Sequence, residues 1–120
     1  MTIERQEFGK SGENLAVDEL ERRGYAILDR RYRTRQGEID IVAQDGDTIV
    51  FVEVKARTTG ERGSAAEAVT AAKQRQLISM AVDYLTRKRL SDCRCRFDVV
   101  AIDGEGTERR LTLYPHAFTA

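Results

Sequence analysis

The chain has 120 residues, 41% hydrophobic and 33% charged, with one proline and a formal net charge of zero. That length supports one domain around one core, and the composition excludes a disordered or low-complexity polymer. Charge balance speaks against an indiscriminate coat on nucleic acid. No apolar run approaches the roughly 20 residues that span a bilayer, and MTIERQEFGK has no apolar signal core. The expectation is a cytoplasmic protein with no membrane partner.

In chain order, residues from about Glu7 to Arg23 predict an amphipathic helix. Phe8, Leu15, Ala16 and Leu20 recur at helical spacing, and Gly24 is a natural stop. Gly9 and Gly12 weaken its first turns, which allows a close approach by another backbone or a phosphate, or a later start. Tyr25 to Tyr32, Glu38 to Ala43 and Ile49 to Ala56 predict three strands, with Asp45-Gly46-Asp47 turning between the last two. Residues 57–64 predict a polar loop. A long helix follows from Thr70, a natural N-cap, to Arg89, with Leu77, Met80, Ala81, Tyr84 and Leu85 as its buried stripe. Phe97 to Ile102 predicts a buried strand and Arg110 to Tyr114 a last one, ended by Pro115. The order α-β-β-β-α-β-β predicts one α/β domain over residues 1–120, a mixed central sheet flanked by helices. Cys93 and Cys95 lack the four-ligand inventory of a structural zinc site, and His116 is remote; both thiols read as reduced and structurally ordinary.

Charge is unevenly spread. Residues 22–35 hold six arginines against one acid, and residues 36–53 hold five acids and no base. The most informative stretch is GEIDIVAQDGDTIVFVEVK, residues 37–55, where acids interrupt apolar strands. Charges so placed are costly unless paired, hydrogen-bonded or bound to metal. Residues two apart on a strand share a face, so Glu53 and Lys55 point together. Asp40 faces Glu53 from the neighbouring strand if Gln44 opposes Ile49; a three-residue turn would reverse it. If they converge, Asp40, Glu53 and the Val54 carbonyl offer hard oxygen ligands for Mg²⁺ or Mn²⁺, and Lys55 can orient water or stabilise phosphorane charge. Glu13 is the natural extra carboxylate for a second cation. The competing reading of Glu-x-Lys is a cross-strand salt bridge.

Around this set, Arg31, Arg33 and Arg35 alternate along an extended segment. They could track a phosphate backbone or simply keep an edge strand charged. Glu38 shares the face of Asp40 and is an ion-pair candidate for Arg57 or Lys55. Lys73, Gln74 and Gln76 lie where a helix could contact phosphate or water, or be a solvated face. Asp98 reads as a structural partner of Arg96 or of a helix residue.

The stretches GKSGENLAVDELERRGYAIL, RRYRTRQGEIDIVAQDG, FVEVKART, EAVTAAKQRQL and RFDVVAI resemble the YraN family of small bacterial proteins. The wider pattern resembles the PD-(D/E)xK, or restriction-endonuclease-like, nucleases, with a spacing similar to archaeal Holliday-junction resolvases. The resemblance implies an αβββαβ core, with Asp40, Glu53 and Lys55 as the central site and Glu13 as the auxiliary acid. Ile39 stands where the superfamily motif has its proline. It further implies a Mg²⁺- or Mn²⁺-dependent endonuclease of DNA repair, recombination or processing, with branched or single-stranded DNA among its substrates. Arg31, Arg33, Arg35, Arg57, Lys73 and Gln76 are then the candidate DNA contacts. A homodimer would supply two sites for two strands. The other class of reading is a nucleic-acid- or protein-binding module that keeps the nuclease fold without cutting.

Overall fold

The computed structural model describes residues 11–57, 69–104 and 106–120. The proposed helical start at Glu7 and most of the 57–64 loop lie outside them. Helix α1 spans Gly12–Arg22, with Ser11 as its N-cap accepting the Asn14 N–H at 3.1 Å. Gly12 is explained by packing: a Cβ there would stand 3.0 Å from Ile102 Cδ1. The close approach is thus by a core side chain. Strands β1 (Ala26–Thr34), β2 (Gly37–Asp45) and β3 (Thr48–Arg57) form an antiparallel meander. Helix α2 (Ala71–Arg87) starts on Thr70, whose hydroxyl accepts the Lys73 N–H at 3.1 Å. It carries the chain over to β4 (Arg94–Asp103), which lies parallel to β3. A short 3₁₀ turn leads to β5 (Arg110–Phe118), antiparallel to β4.

Among the described residues the sheet has five strands in sequence order, β1 to β5, and one helix covers each face. Ala16 and Leu20 of α1 pack on Ile41, Ala43, Val50, Val52 and Val100. Leu77, Met80 and Tyr84 of α2 pack on Ile39, Val42, Phe51, Phe97 and Val99. Both faces being covered explains why β3 and β4 read as nearly continuous apolar runs. The expected α/β architecture and αβββαβ order are present, consistent with a restriction-endonuclease-like core with β5 added at one edge.

One boundary is corrected. Pro115 does not end the last strand, which runs on to Phe118. The β4–β5 register shifts between Phe97 and Val99, and His116 takes φ +50°. Proline is tolerated because β5 is an edge strand at a bulge. The His116 N–H freed by the bulge donates to Asp98 Oδ1 at 3.1 Å. Asp98 is fully buried and ion-paired with Arg96 at 3.1 Å, the structural role its sequence position suggested.

Candidate functional site

The site begins with register. Asp45 opposes Thr48 across the turn, and Gly46 takes φ +61° in it. Gln44 then opposes Ile49, the pairing that brings position 40 level with position 53. The β2–β3 ladder ends at Ile41 and Val52, one pair short of them. Here the Asp40 carboxylate replaces the next ladder partner: its Oδ2 accepts the Val54 N–H at 2.8 Å. A strand residue directs its N–H and C=O to the same side, so the Val54 carbonyl also faces the β2 side, beyond the ladder's end.

Asp40 reaches that position because the strands switch faces beside it. Ile39 belongs to the α2-side core and Ile41 to the α1-side core, although residues two apart normally share a face. The opposite strand does the same: Tyr32 packs on the α2 side, whereas Arg30 reaches Glu13 on α1. Between them Arg31, the register partner position of Asp40, takes φ +54°. For a non-glycine residue that conformation costs about 1–2 kcal/mol. Glu13 braces it. Its Oε1 lies 2.8 Å from Arg30 Nη2 and its Oε2 lies 3.1 Å from Arg31 Nε, with its side chain only 14% exposed.

Glu53 projects to the α2 side, where a cleft of about 280 Å³ is lined by Glu53, Lys55, Val69, Thr70 and Lys73. Lys73 Nζ stands 3.7 Å from Glu53 Oε2. Burial, and then the adjacent Asp40 carboxylate, push Glu53 up to about 7, against the opposing pull of Lys73 and Lys55. Beside Asp40, the Glu53 carboxyl keeps near neutrality a proton that an isolated glutamate would have lost.

The structure therefore gathers Asp40, Glu53, Lys55, the Val54 backbone and Lys73. It does not bring Glu13 into a common acidic group with them: no cluster of three or more histidine, cysteine or acidic side chains occurs among the described residues. Glu13 is held by arginines on the α1 side. Arg33 pairs with Glu38 at 3.5 Å, so Glu38 takes that partner instead of Arg57 or Lys55. Arg57, expected to contact nucleic acid, is buried; its Nε donates to Asp103 Oδ1 at 2.8 Å and its Nη2 to Oδ2 at 3.2 Å. Gln76 donates from Nε2 to the Gln36 carbonyl. Arg35 lies in the exposed β1–β2 turn. Thr70, which its sequence position marks as a helix cap, also lines the Glu53 cleft.

The metal-free site has a stability signature. In the unfolded chain Glu53 ionises near its ordinary 4.5, and in the fold near 7. Between these values the native state binds more protons, so stability falls as pH rises through the window. The Glu53 contribution is about 2 kcal/mol after allowance for solvent screening. Urea unfolding of the metal-free protein at pH 5.5 and 8 should show this loss, and Glu53→Gln should remove it. An equal pH dependence in the variant would contradict the assignment.

The model of the uncharacterised protein family UPF0102 matches residues 12–102 of the chain. A UPF0102 protein of Geobacter metallireducens is 48% identical over 118 residues, covering 98% of this chain and 97% of its own. One from Pelotomaculum thermopropionicum is 43% identical over 120 residues, covering 98% of this chain and all of its own. One from Geobacter sulfurreducens is 54% identical over 95 residues, covering 79% of this chain and 74% of its own. The match runs through α1, the meander, α2 and β4, and so through every residue of the site: the chain belongs to the UPF0102, or YraN, family.

Proposed function

We propose that the protein is a divalent-metal-dependent phosphodiesterase acting on DNA, an endonuclease of repair, recombination or processing. The observation that carries this reading is the Asp40–Glu53 pair at the open end of the β2–β3 ladder, with Lys55 and Lys73 in the adjoining cleft. The donor set fits a hard cation. Two carboxylates share one half-buried position at a cost that a bound Mg²⁺ or Mn²⁺ would relieve, and the Val54 carbonyl faces the same side. Asp40, Glu53 and Val54 would hold the ion, which when bound supplies Lewis-acid activation of a phosphodiester and its attacking water.

The chain's own residues do the rest. Burial of Glu53 strengthens every charge interaction in the cleft. Lys55 and Lys73 bind the scissile phosphate and offset charge that develops on it. Glu13, through Arg30 and Arg31, holds the kink that aims Asp40 at β3. Branched and single-stranded DNA are the substrate classes to test, and a pair of copies would serve two strands. The test is incubation with Mg²⁺ or Mn²⁺ and linear, nicked, flapped and four-way DNAs. Cleavage should fall about 100- to 1,000-fold in Lys55→Ala. Unchanged cleavage in that variant, or none of any substrate by the wild type, would refute the proposal.

One observation favours a second reading. Asp40 already accepts the Val54 N–H, and no third carboxylate joins the pair among the described residues. A module that binds nucleic acid or protein without cutting would keep such a pair as a structural clasp. Tight DNA binding without Mn²⁺ uptake would favour it.

A further inference from the structure

The β1–β2 turn and the outer side of α2 enclose a second cleft, of about 310 Å³, lined by Thr34, Arg35, Gln36, Ser79, Asp83 and Arg87. We infer that it binds a backbone phosphate of the same DNA duplex arm that enters the Glu53 cleft. This rests on the phosphodiesterase reading above.

Three observations support it. The first is charge. Among the described residues Arg35 has no ion pair and Arg87 uses only its Nε, donating to Asp83 Oδ1 at 3.1 Å with its side chain 73% exposed. Its Nη groups remain for the fork-like recognition that guanidinium gives phosphate. The acid in the cleft does not cancel this. Asp83 accepts from Tyr32 Oη at 2.7 Å through one oxygen and from Arg87 through the other, so its charge is spent orienting Arg87. Arg35 is left in excess, with Ser79 lining the same cleft.

The second is alignment. Lys73, Gln76, Ser79, Asp83 and Arg87 fall on one side of α2 at 3.6 residues per turn. Lys73 lines the Glu53 cleft and Arg87 the second one. Fourteen residues of helix separate them by about 21 Å, which matches about six base pairs of duplex at 3.4 Å each. A backbone following this side of the helix meets both clefts.

The third is rigidity between them. Gln76 bonds the Gln36 carbonyl and ties the turn to α2 one turn beyond Lys73. Gly37 makes room for that tie: it takes φ +141°, and a Cβ there would stand 3.1 Å from Gln76 Nε2. Arg35 is therefore presented by a turn clamped to the helix. Its neighbours Arg31 and Arg33 are drawn away to Glu13 and Glu38.

The test is fluorescence anisotropy with DNA hairpins whose stems hold about 4 and about 16 base pairs, at about 50 and about 200 mM salt, with Ca²⁺ present. Each lost phosphate contact should flatten the salt dependence by about three- to fourfold across that range. Arg35→Ala should show one such step on the long stem, and Arg35→Ala with Arg87→Gln two. Both effects should be smaller on the short stem, which cannot fill both clefts at once. Arg35→Ala removes no ion pair among the described residues, so its melting temperature should match the wild type and separate the effect from misfolding. An unchanged salt slope, or equal weakening on both lengths, would overturn the inference. Absence of wild-type DNA binding at either length would overturn it together with the nuclease reading. Loss of Mn²⁺ uptake by the wild type, with the length-dependent effect intact, would overturn the nuclease reading alone.

Discussion

Asp40→Asn should abolish Mn²⁺ uptake and DNA cleavage while leaving the melting temperature close to that of the wild type. The two roles of this side chain can be separated because they need different things from it. Accepting the Val54 N–H at 2.8 Å needs only an oxygen in place, which the asparagine amide also has. Holding a hard cation beside Glu53 needs negative charge, which the amide lacks. Mn²⁺ affinity should therefore fall at least about 100-fold, since even groups supporting a metal ligand cost 10- to 100-fold when removed. Asp40→Ala should lose both roles. It leaves a backbone N–H without its acceptor and should destabilise the protein by about 1–3 kcal/mol as well. Calorimetric Mn²⁺ titration and thermal unfolding on the same preparations distinguish the variants. If Asp40→Asn binds Mn²⁺ like the wild type, Asp40 is a structural clasp.

The largest loss of stability is expected from Asp98→Ala, in the middle of β4 and in register with Val52. Asp98 is fully buried, and Arg96 is its principal partner, 12% exposed, with Nε at 3.1 Å from Oδ1. Arg96 also donates to Asp45 Oδ2 at 3.0 Å and to Tyr25 Oη at 2.6 Å. Removing Asp98 leaves a guanidinium with its main countercharge gone and strips the acceptor from the His116 N–H at the β5 bulge. Breaking a buried pair from one side costs about 3–5 kcal/mol. That is a large share of the 5–15 kcal/mol typical of a small domain. The exposed Arg22–Glu19 pair on α1 is the contrast: Arg22 is 73% exposed, and Arg22→Ala should cost under about 1 kcal/mol. Urea unfolding of both variants checks the ordering, and comparable losses would contradict it.

How much of this was legible in the sequence depends on how local each cause is. The Asp45-Gly46-Asp47 turn fixes the β2–β3 register within a few residues, so the juxtaposition of Asp40 and Glu53 follows from counting. The alternation of Glu53 and Lys55 beyond Ile49 and Phe51 is equally local, as are Thr70 as a cap and the buried stripe of α2. The face switch at Arg31 and Asp40 is different. Alternation is assumed whenever a strand is read from its pattern, and nothing in RRYR marks an arginine with positive φ. The fate of Glu13 follows from that same kink, which turns Arg30 and Arg31 together toward α1. Arg57 is buried by a partner 46 residues away, Asp103, through the parallel β3–β4 pairing. Such non-local pairing leaves no trace beside Arg57. Pro115 misleads for the opposite reason: the local rule that proline stops a strand yields to an edge position, where no ladder bond is lost.

The central claim is that Asp40 and Glu53 hold a divalent cation at the open end of the β2–β3 ladder. A crystal of the protein soaked in Mn²⁺, measured with anomalous scattering, tests it most directly. The prediction is a Mn²⁺ peak between the two carboxylates at about 2.1 Å from their oxygens, with the Val54 carbonyl in the same coordination shell. A map with no peak there, and Asp40 still closed on the Val54 N–H, would contradict it.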